Sequence, residues 1–97
     1  MEYGQVFAAL DRMDIEGRID ATRIDSVLIK KLGLVFDVAK DAFIEKPNSE
    51  LRLLDFLLMS GVVRRLYERG YEASALWFYK EMKRICGDNE MRQLYNI

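Results

Sequence analysis

The amino-acid sequence predicts an all-α fold. Apolar residues recur at the i, i+3, i+4, i+7 spacing of amphipathic helices along most of the 97 residues. Glycines and the single proline interrupt this periodicity and leave segments of helical length between them. The hydrophobic fraction of 51%, with 32% charged residues, is typical of a folded domain rather than a disordered tail. We therefore expect one domain of helices joined by polar loops.

Two helices and a polar loop are predicted in the first third of the chain. The first helix covers about residues 3–12, with one apolar face formed by Tyr3, Val6, Phe7 and Leu10. A polar loop follows through Ala21. The second helix then carries Ile24, Val27, Leu28 and Lys31–Leu32 at the same spacing. Gly33 is predicted to be its C-cap, because glycine adopts the left-handed conformation without strain.

Three more helices are predicted after Gly33. A short third helix holds Phe36 and Phe43, and a turn follows at residues 46–49, where proline and asparagine oppose helix continuation. The fourth helix covers about residues 53–69 and ends at Gly70. The fifth covers about residues 72–86, with Gly87 as a break before a last turn or two at residues 90–95. The apolar face of the fifth helix consists of Ala75, Phe78, Tyr79, Met82, Ile85 and Cys86.

Composition excludes several classes of function. The net charge of −1 gives no general attraction to nucleic acid, and no apolar run is long enough to insert into a membrane. The chain has no histidine, no glycine-rich phosphate loop and no Cys-x-x-Cys pair, so we expect no enzyme, no cofactor and no catalytic residue. The single cysteine, Cys86, favours a reducing intracellular compartment. This is the cytoplasm by default, and import into an organelle is also compatible.

The segment from Phe7 to Asp20 combines an apolar helix, an acidic loop, a glycine and an isoleucine two residues later. Residues 3–69 thereby resemble a pair of EF-hands, the unit of one calmodulin-type lobe. The resemblance implies a first helix–loop–helix unit at residues 1–34, a second at 35–70 and a C-terminal helical extension at 71–97. It also implies a small ladder between Ile19 and Leu51, the eighth residues of the two loops.

Neither loop keeps the ligands that the family uses. With Gly17 at the sixth position, the first and twelfth positions are Arg12 and Arg23, where the family has oxygen ligands. A one-residue insertion would restore Asp11 to the first position but would leave Arg23 at the last. Other acids of this loop are Asp14, Glu16 and Asp20. The second loop offers Ile44, Lys46, Asn48, Ser49 and Asp55. We expect degenerate sites that bind no calcium or other metal.

The resemblance implies a protein partner, because such lobes bind an amphipathic helix in an apolar groove. The residues expected to line the groove or anchor the partner are Met59, Val62, Val63, Leu66, Tyr67 and Trp77. Ordinary core is the alternative role for such apolar residues, above all for Phe7 and Leu28. The fifth helix either folds back across this groove or reaches a partner. Trp77 is expected to face outward with Ala73 and Leu76 if the helix packs by one face only. The alternatives are that the helix is buried on both faces or that Trp77 lies flat on a neighbouring loop.

Three other interpretations remain. The chain could be a helical structural subunit of a large assembly with no separable activity, or a generic helical bundle. Residues 70–82 also resemble the second helix of a pentatricopeptide repeat, and residues 37–43 repeat part of that pattern 36 positions earlier. That resemblance would imply binding to single-stranded RNA. Against it stand the lack of basic excess and the presence of only two imperfect repeats.

Overall fold

Four α-helices and one 3₁₀ turn make up the computed structural model, which describes residues 2–19, 21–46 and 52–95. The helices are α1 (Tyr3–Glu16), α2 (Ser26–Ile44), α3 (Arg52–Glu68) and α4 (Glu72–Tyr95), and the turn is Ala21–Arg23. The predicted all-α class is confirmed, and none of the described residues forms a strand. The predicted ladder and the turn at residues 46–49 involve positions outside the described ranges. The pairing of two EF-hand-like units stays a prediction.

Helix α1 is longer than predicted, because residues 13–16 continue it. It ends in a Schellman motif, in which the amide of Gly17 donates to the carbonyl of Asp14 and the amide of Arg18 donates to that of Met13, both at 3.2 Å. Gly17 has φ of 64°, which glycine adopts without strain. The glycine that resembles a calcium-loop residue therefore ends a helix.

The prediction that Gly33 caps a helix is wrong. Gly33 lies inside α2, which joins the predicted second and third helices and crosses the expected boundary between residues 34 and 35. Glycine inside a helix costs about 0.5–1 kcal/mol relative to alanine. Burial of Phe36, Ala39 and Phe43 on the same helix offsets that cost. The start of α2 is fixed by Asp25, whose side chain accepts hydrogen bonds from the amides of the residues two and three positions later.

Helices α3 and α4 form a hairpin around Gly70, where the sequence predicts the end of the fourth helix. Gly70 has φ of 87°, and the amide of Tyr71 donates to the carbonyl of Leu66 at 2.9 Å, which again is a Schellman closure. The predicted break at Gly87 is also confirmed, because this residue has φ of 73° and ψ of 160° within α4. The segment after the break returns to the core through Met91.

One hydrophobic core connects the helices. Helix α3 packs against α1, α2 and α4, and α4 also packs against α1. Aromatic pairs cross between helices in the described residues, with ring-centroid distances of 4.8 Å for Phe7–Tyr79, 4.8 Å for Phe36–Phe78 and 6.5 Å for Phe43–Phe56. The apolar face of α4 is thus used inside the molecule, which decides between the two arrangements expected for this helix.

Arg52 joins three helices at one end of the bundle. Its Nε donates to the carbonyl of Phe43 at 3.1 Å, and its guanidinium lies 3.8 Å from the centroid of that ring. It also forms an ion pair with Glu90 after the break in α4. None of the helices in the described ranges combines the length and the apolar character needed to cross a bilayer.

Candidate functional site: an apolar groove beside Trp77

Four of the residues expected to line a binding groove lie in the core. Met59 and Val63 have no exposed surface, and Val62 and Leu66 are also buried. Tyr67 is half-buried and packs against the same core. These side chains are covered because α3 has another helix on several sides at once. In this conformation they support the fold and are closed to a partner.

Trp77, in contrast, lies at the surface. Its side chain is 52% exposed, and its ring contacts Phe78 edge-on with the centroids 5.2 Å apart. Ala73 and Leu76, which the helical spacing places outward with it, are buried. Helix α4 is therefore buried over more than one face near its start, and Trp77 marks the part of this surface that stays open.

An open groove of about 430 Å³ lies beside Trp77, between α2 and α4. Its apolar walls come from Ile29, Gly33, Leu34, Phe36, Trp77 and Phe78. Leu34 is 72% exposed, whereas Phe36 and Phe78 are buried and contact each other below the opening. The groove thus has an aromatic floor packed into the core and two apolar edges provided by different helices.

Gly33 is the reason that the groove reaches the backbone of α2. A Cβ placed at Gly33 would have no atom within 4 Å outside the local helix, so the space above it is open. Helix α2 packs closely against α3, while long side chains connect it to α4. The missing side chain at position 33 and this spacing together leave room for the side chain of another molecule.

Charges of both signs surround the groove. Lys40 lies 3.5 Å from a carboxylate oxygen of Asp37 and 3.6 Å from one of Glu81. Glu81 also accepts hydrogen bonds from Arg84, and these hydrogen bonds lower the pKa of its carboxyl, with further lowering by the charges of Arg84 and Lys40. Lys30 completes the rim. A ligand for this groove therefore needs an apolar centre and polar edges without a single dominant charge.

A second polar cluster joins α1 to α4. The hydroxyl of Tyr79 donates to Asp11 at 3.0 Å, and Lys83 lies 3.2 Å from the other oxygen of this carboxylate. Burial, together with the charge of Asp11 and this hydrogen bond, raises the pKa of Tyr79. Burial raises the pKa of the Cys86 thiol to about 12, with a smaller contribution from Glu90. The Tyr79 hydroxyl and the Cys86 thiol therefore both stay protonated at neutral pH. The contacts of Asp11 with Tyr79 and Lys83 link α1 to α4.

The acidic residues of the expected calcium loops face different partners. Asp14 lies 3.0 Å from Lys80 of α4, Glu16 lies 2.8 Å from Arg18, and Asp55 lies 3.0 Å from Lys46. Within the described ranges, no three histidine, cysteine, aspartate or glutamate side chains lie close enough to hold a metal ion. Asp20, Asn48 and Ser49 lie outside those ranges.

The sequence pattern points to Trp77 but not to the α2 side of the groove. The signal for that side is that α2 is apolar on two faces. Val27, which the helical spacing in the sequence groups with Leu28, is exposed and lies with Leu34 and Val38 on the second face. If a helix is assumed to end at Gly33, the residues before and after it fall on different helices, and the second apolar face of α2 is not recognised.

Comparison with protein-family models, with curated proteins and with solved structures finds no match to this chain.

Proposed function

We propose that this protein is a non-enzymatic interaction module that binds an amphipathic helix of a larger protein in the Trp77 groove. It would act as a light-chain-like or accessory subunit. The observation that supports this proposal is the half-exposed Trp77 beside an apolar groove with a buried aromatic floor. Tryptophan is enriched among the residues that dominate binding energy at protein interfaces.

The exposed half of Trp77 is large enough to anchor a partner. A tryptophan side chain buries about 150–250 Å² when fully covered. Covering the remaining half removes roughly 100 Å² from water, which contributes about 2.5 kcal/mol. Leu34 and the open backbone at Gly33 add apolar contact from the facing helix. We expect a dissociation constant in the range of about 1–100 µM for an isolated helix.

The shape and charge of the groove favour a helix with one apolar face. Such a helix would place side chains at i, i+3 or i+4 and i+7 between α2 and α4. Its flanking positions would carry both signs of charge, to face Lys30 and Asp37 on one edge and Glu81 on the other. Nothing in this arrangement uses an ion, so binding is expected to be independent of calcium.

Trp77 is the only tryptophan of the chain and therefore reports on its own groove. Tryptophan-free amphipathic peptides, selected by display for binding to the wild-type protein, serve as probes in a fluorescence titration. We expect saturable shifts of the emission to shorter wavelength, because the indole leaves water. The same dissociation constant is expected with calcium and with a chelator.

Two variants test whether the selected peptides use this groove. Gly33→Leu fills the groove and is expected to weaken binding at least about tenfold, which corresponds to the loss of about 1.4 kcal/mol. Ile15→Ala, at a residue of α1 that is 86% exposed, is the matched control and should leave binding unchanged. Peptides that bind both variants like the wild type would overturn the proposed site.

A second candidate function is that of a helical structural subunit of a large assembly. The observation in its favour is a further exposed apolar surface on α3, formed by Leu54, Leu57 and Leu58. Surfaces of this kind mark interaction sites in folded proteins. Selection of peptides whose binding is abolished by Leu58→Asp and unaffected by Gly33→Leu would favour this second function.

A further inference from the structure

Helix α2 carries a second apolar stripe on the side opposite the core. Val27, Leu34 and Val38 are 72%, 72% and 71% exposed. At about 100° per residue, Leu34 lies about 200° around the helix axis from the buried Phe36. The stripe belongs to a series with alternating steps of four and three residues, the spacing of a helix-pairing seam. Its members are Val27, Lys31, Leu34, Val38, Asp41 and Glu45.

The acidic members of this series oppose the dipole of their own helix. Asp41 lies in the last turn of α2 and Glu45 is its C-cap, where the dipole is negative, whereas Lys31 lies in the second turn, beyond the positive end. In the part of the chain that the structure describes, neither Lys31 nor Asp41 has an ion-pair partner. All three side chains are exposed. Asp25 caps the N-terminus of α2, but Lys31 lines a pocket with Arg65 and Arg69 of α3, which concentrates positive charge at this place.

An antiparallel copy of the same helix supplies an opposite charge for Lys31 and for Asp41, while Glu45 lies opposite the partner's Val27. A two-fold axis at the level of position 36 places Lys31 opposite the partner's Asp41 and Leu34 opposite the partner's Val38. Each contact occurs twice, as in any isologous interface. A parallel arrangement would instead place Lys31 against the partner's Lys31. We propose that the outward face of α2 pairs with α2 of a second copy of this chain in antiparallel orientation.

The available surface suits a dimer of moderate affinity. A stable interface buries about 800 Å² per partner, which is roughly one eighth of the 6397 Å² that this chain exposes. A helix of 19 residues is about 28 Å long and can supply much of that area along one side. Because only three apolar residues form the stripe, we expect association in the micromolar range.

Charge reversal tests both the contact and its orientation. Sedimentation equilibrium between about 1 and 200 µM is expected to show self-association of the wild type. Lys31→Asp and Asp41→Lys should each weaken it about tenfold or more, because each replaces two attractions by two repulsions. The double variant K31D/D41K should restore it to near the wild-type value. An equimolar mixture of the two single variants should also associate, because the two charge reversals complement each other.

Matched controls separate this dimer from nonspecific association of the chain. Arg12→Asp, a reversal of an exposed charge on α1, should leave the association unchanged. Val38→Asp should abolish it, and circular dichroism should show that the exposed substitution leaves the fold intact. A wild type that stays monomeric up to about 200 µM, or single variants that associate like the wild type, would overturn the proposal. Leu34 belongs to both the stripe and the Trp77 groove, whereas Lys31 and Asp41 do not line the groove. The charge-reversal variants therefore test the dimer without altering the groove, and the peptide titration is run at low protein concentration, where the chain is monomeric.

Discussion

Two apolar stripes with similar helical spacing have opposite positions in this molecule. The stripe of α3, formed by Met59, Val62, Val63 and Leu66, is buried, whereas that of α2, formed by Val27, Leu34 and Val38, is exposed. Helix α3 contacts all three other helices, but α2 packs mainly against α3 and has an open opposite side. Apolar periodicity therefore identifies a helix and does not show which of its apolar residues are buried in the folded chain.

Helix α2 also differs from α3 in how its apolar residues are arranged. Its inward face already holds Phe36 and Phe43, which satisfies its packing against α3. A surface helix needs one apolar face, so the additional outward residues exceed what the fold requires. Exposed apolar residues beyond those that the fold requires indicate a surface that another molecule covers. On α1, by comparison, the exposed residues include the charged Arg12 and Glu16.

The greatest difference in stability is expected when the same charge is placed on each stripe. Val63→Asp buries a carboxylate in the core and should cost at least about 4 kcal/mol of the free energy of unfolding. Val38→Asp is expected to change it by less than about 0.5 kcal/mol, because its side chain stays in water. Urea denaturation at low micromolar concentration measures both. Similar losses for the two variants would contradict the contrast between the stripes.

An intermediate effect is expected at alkaline pH and concerns the buried side of α4. Folding raises the pKa of Tyr79 and raises that of Cys86 to about 12. In the unfolded chain the cysteine loses its proton from about pH 8.5 upward and the tyrosine from about pH 10 upward, whereas the folded chain keeps both protons. The contribution of each group to the free energy of unfolding is therefore fully present below its unfolded pKa. It is lost as pH rises toward the folded pKa, by at most about 1.4 kcal/mol per pH unit for each group.

Urea midpoints between about pH 7 and pH 11 measure this loss. The double variant Tyr79→Phe/Cys86→Ala should lose some stability at neutral pH, because a hydrogen bond to Asp11 is removed. Its stability should then vary less with pH than that of the wild type. An unchanged pH dependence in the double variant would show that other groups cause the alkaline loss.

A smaller effect tests whether Gly33 lies inside a helix. Gly33→Ala should raise the free energy of unfolding by about 0.5–1 kcal/mol, because alanine favours the helix and its Cβ meets open space. The corresponding rise in Tm is about 2–8 °C. Calorimetry provides the measurement. A helix end with φ above zero at Gly33 would give the opposite sign, which is the result expected for Gly87→Ala at φ of 73°.

The helices themselves can largely be predicted from the sequence. The fourth predicted helix agrees with α3 within about a residue at each end, and Gly70 and Gly87 interrupt the chain where expected. The predictions fail where a local signal has two meanings. Gly33 resembles a helix end because glycine is common there. Residues 13–16 resemble a loop because of their acidic side chains, although they continue α1.

The candidate site can be predicted only in part. Trp77 stands out because it lies away from the apolar face of its own helix, which is a local property. The groove beside it depends on the distance between α2 and α4, which is set by how both helices pack on α3. The EF-hand resemblance directs attention to α3, where the expected groove residues are core. That resemblance stays a prediction, as does the absence of calcium binding.

The formation of amphipathic helices, and the places where several of them end, follow from the sequence alone. Those properties depend on side-chain spacing and on glycine, which act over a few residues. The burial of the α3 stripe and the exposure of the α2 stripe follow only from the way the helices pack. Burial requires another helix to cover the same surface, and the folded chain provides that cover for α3 and for one side of α2.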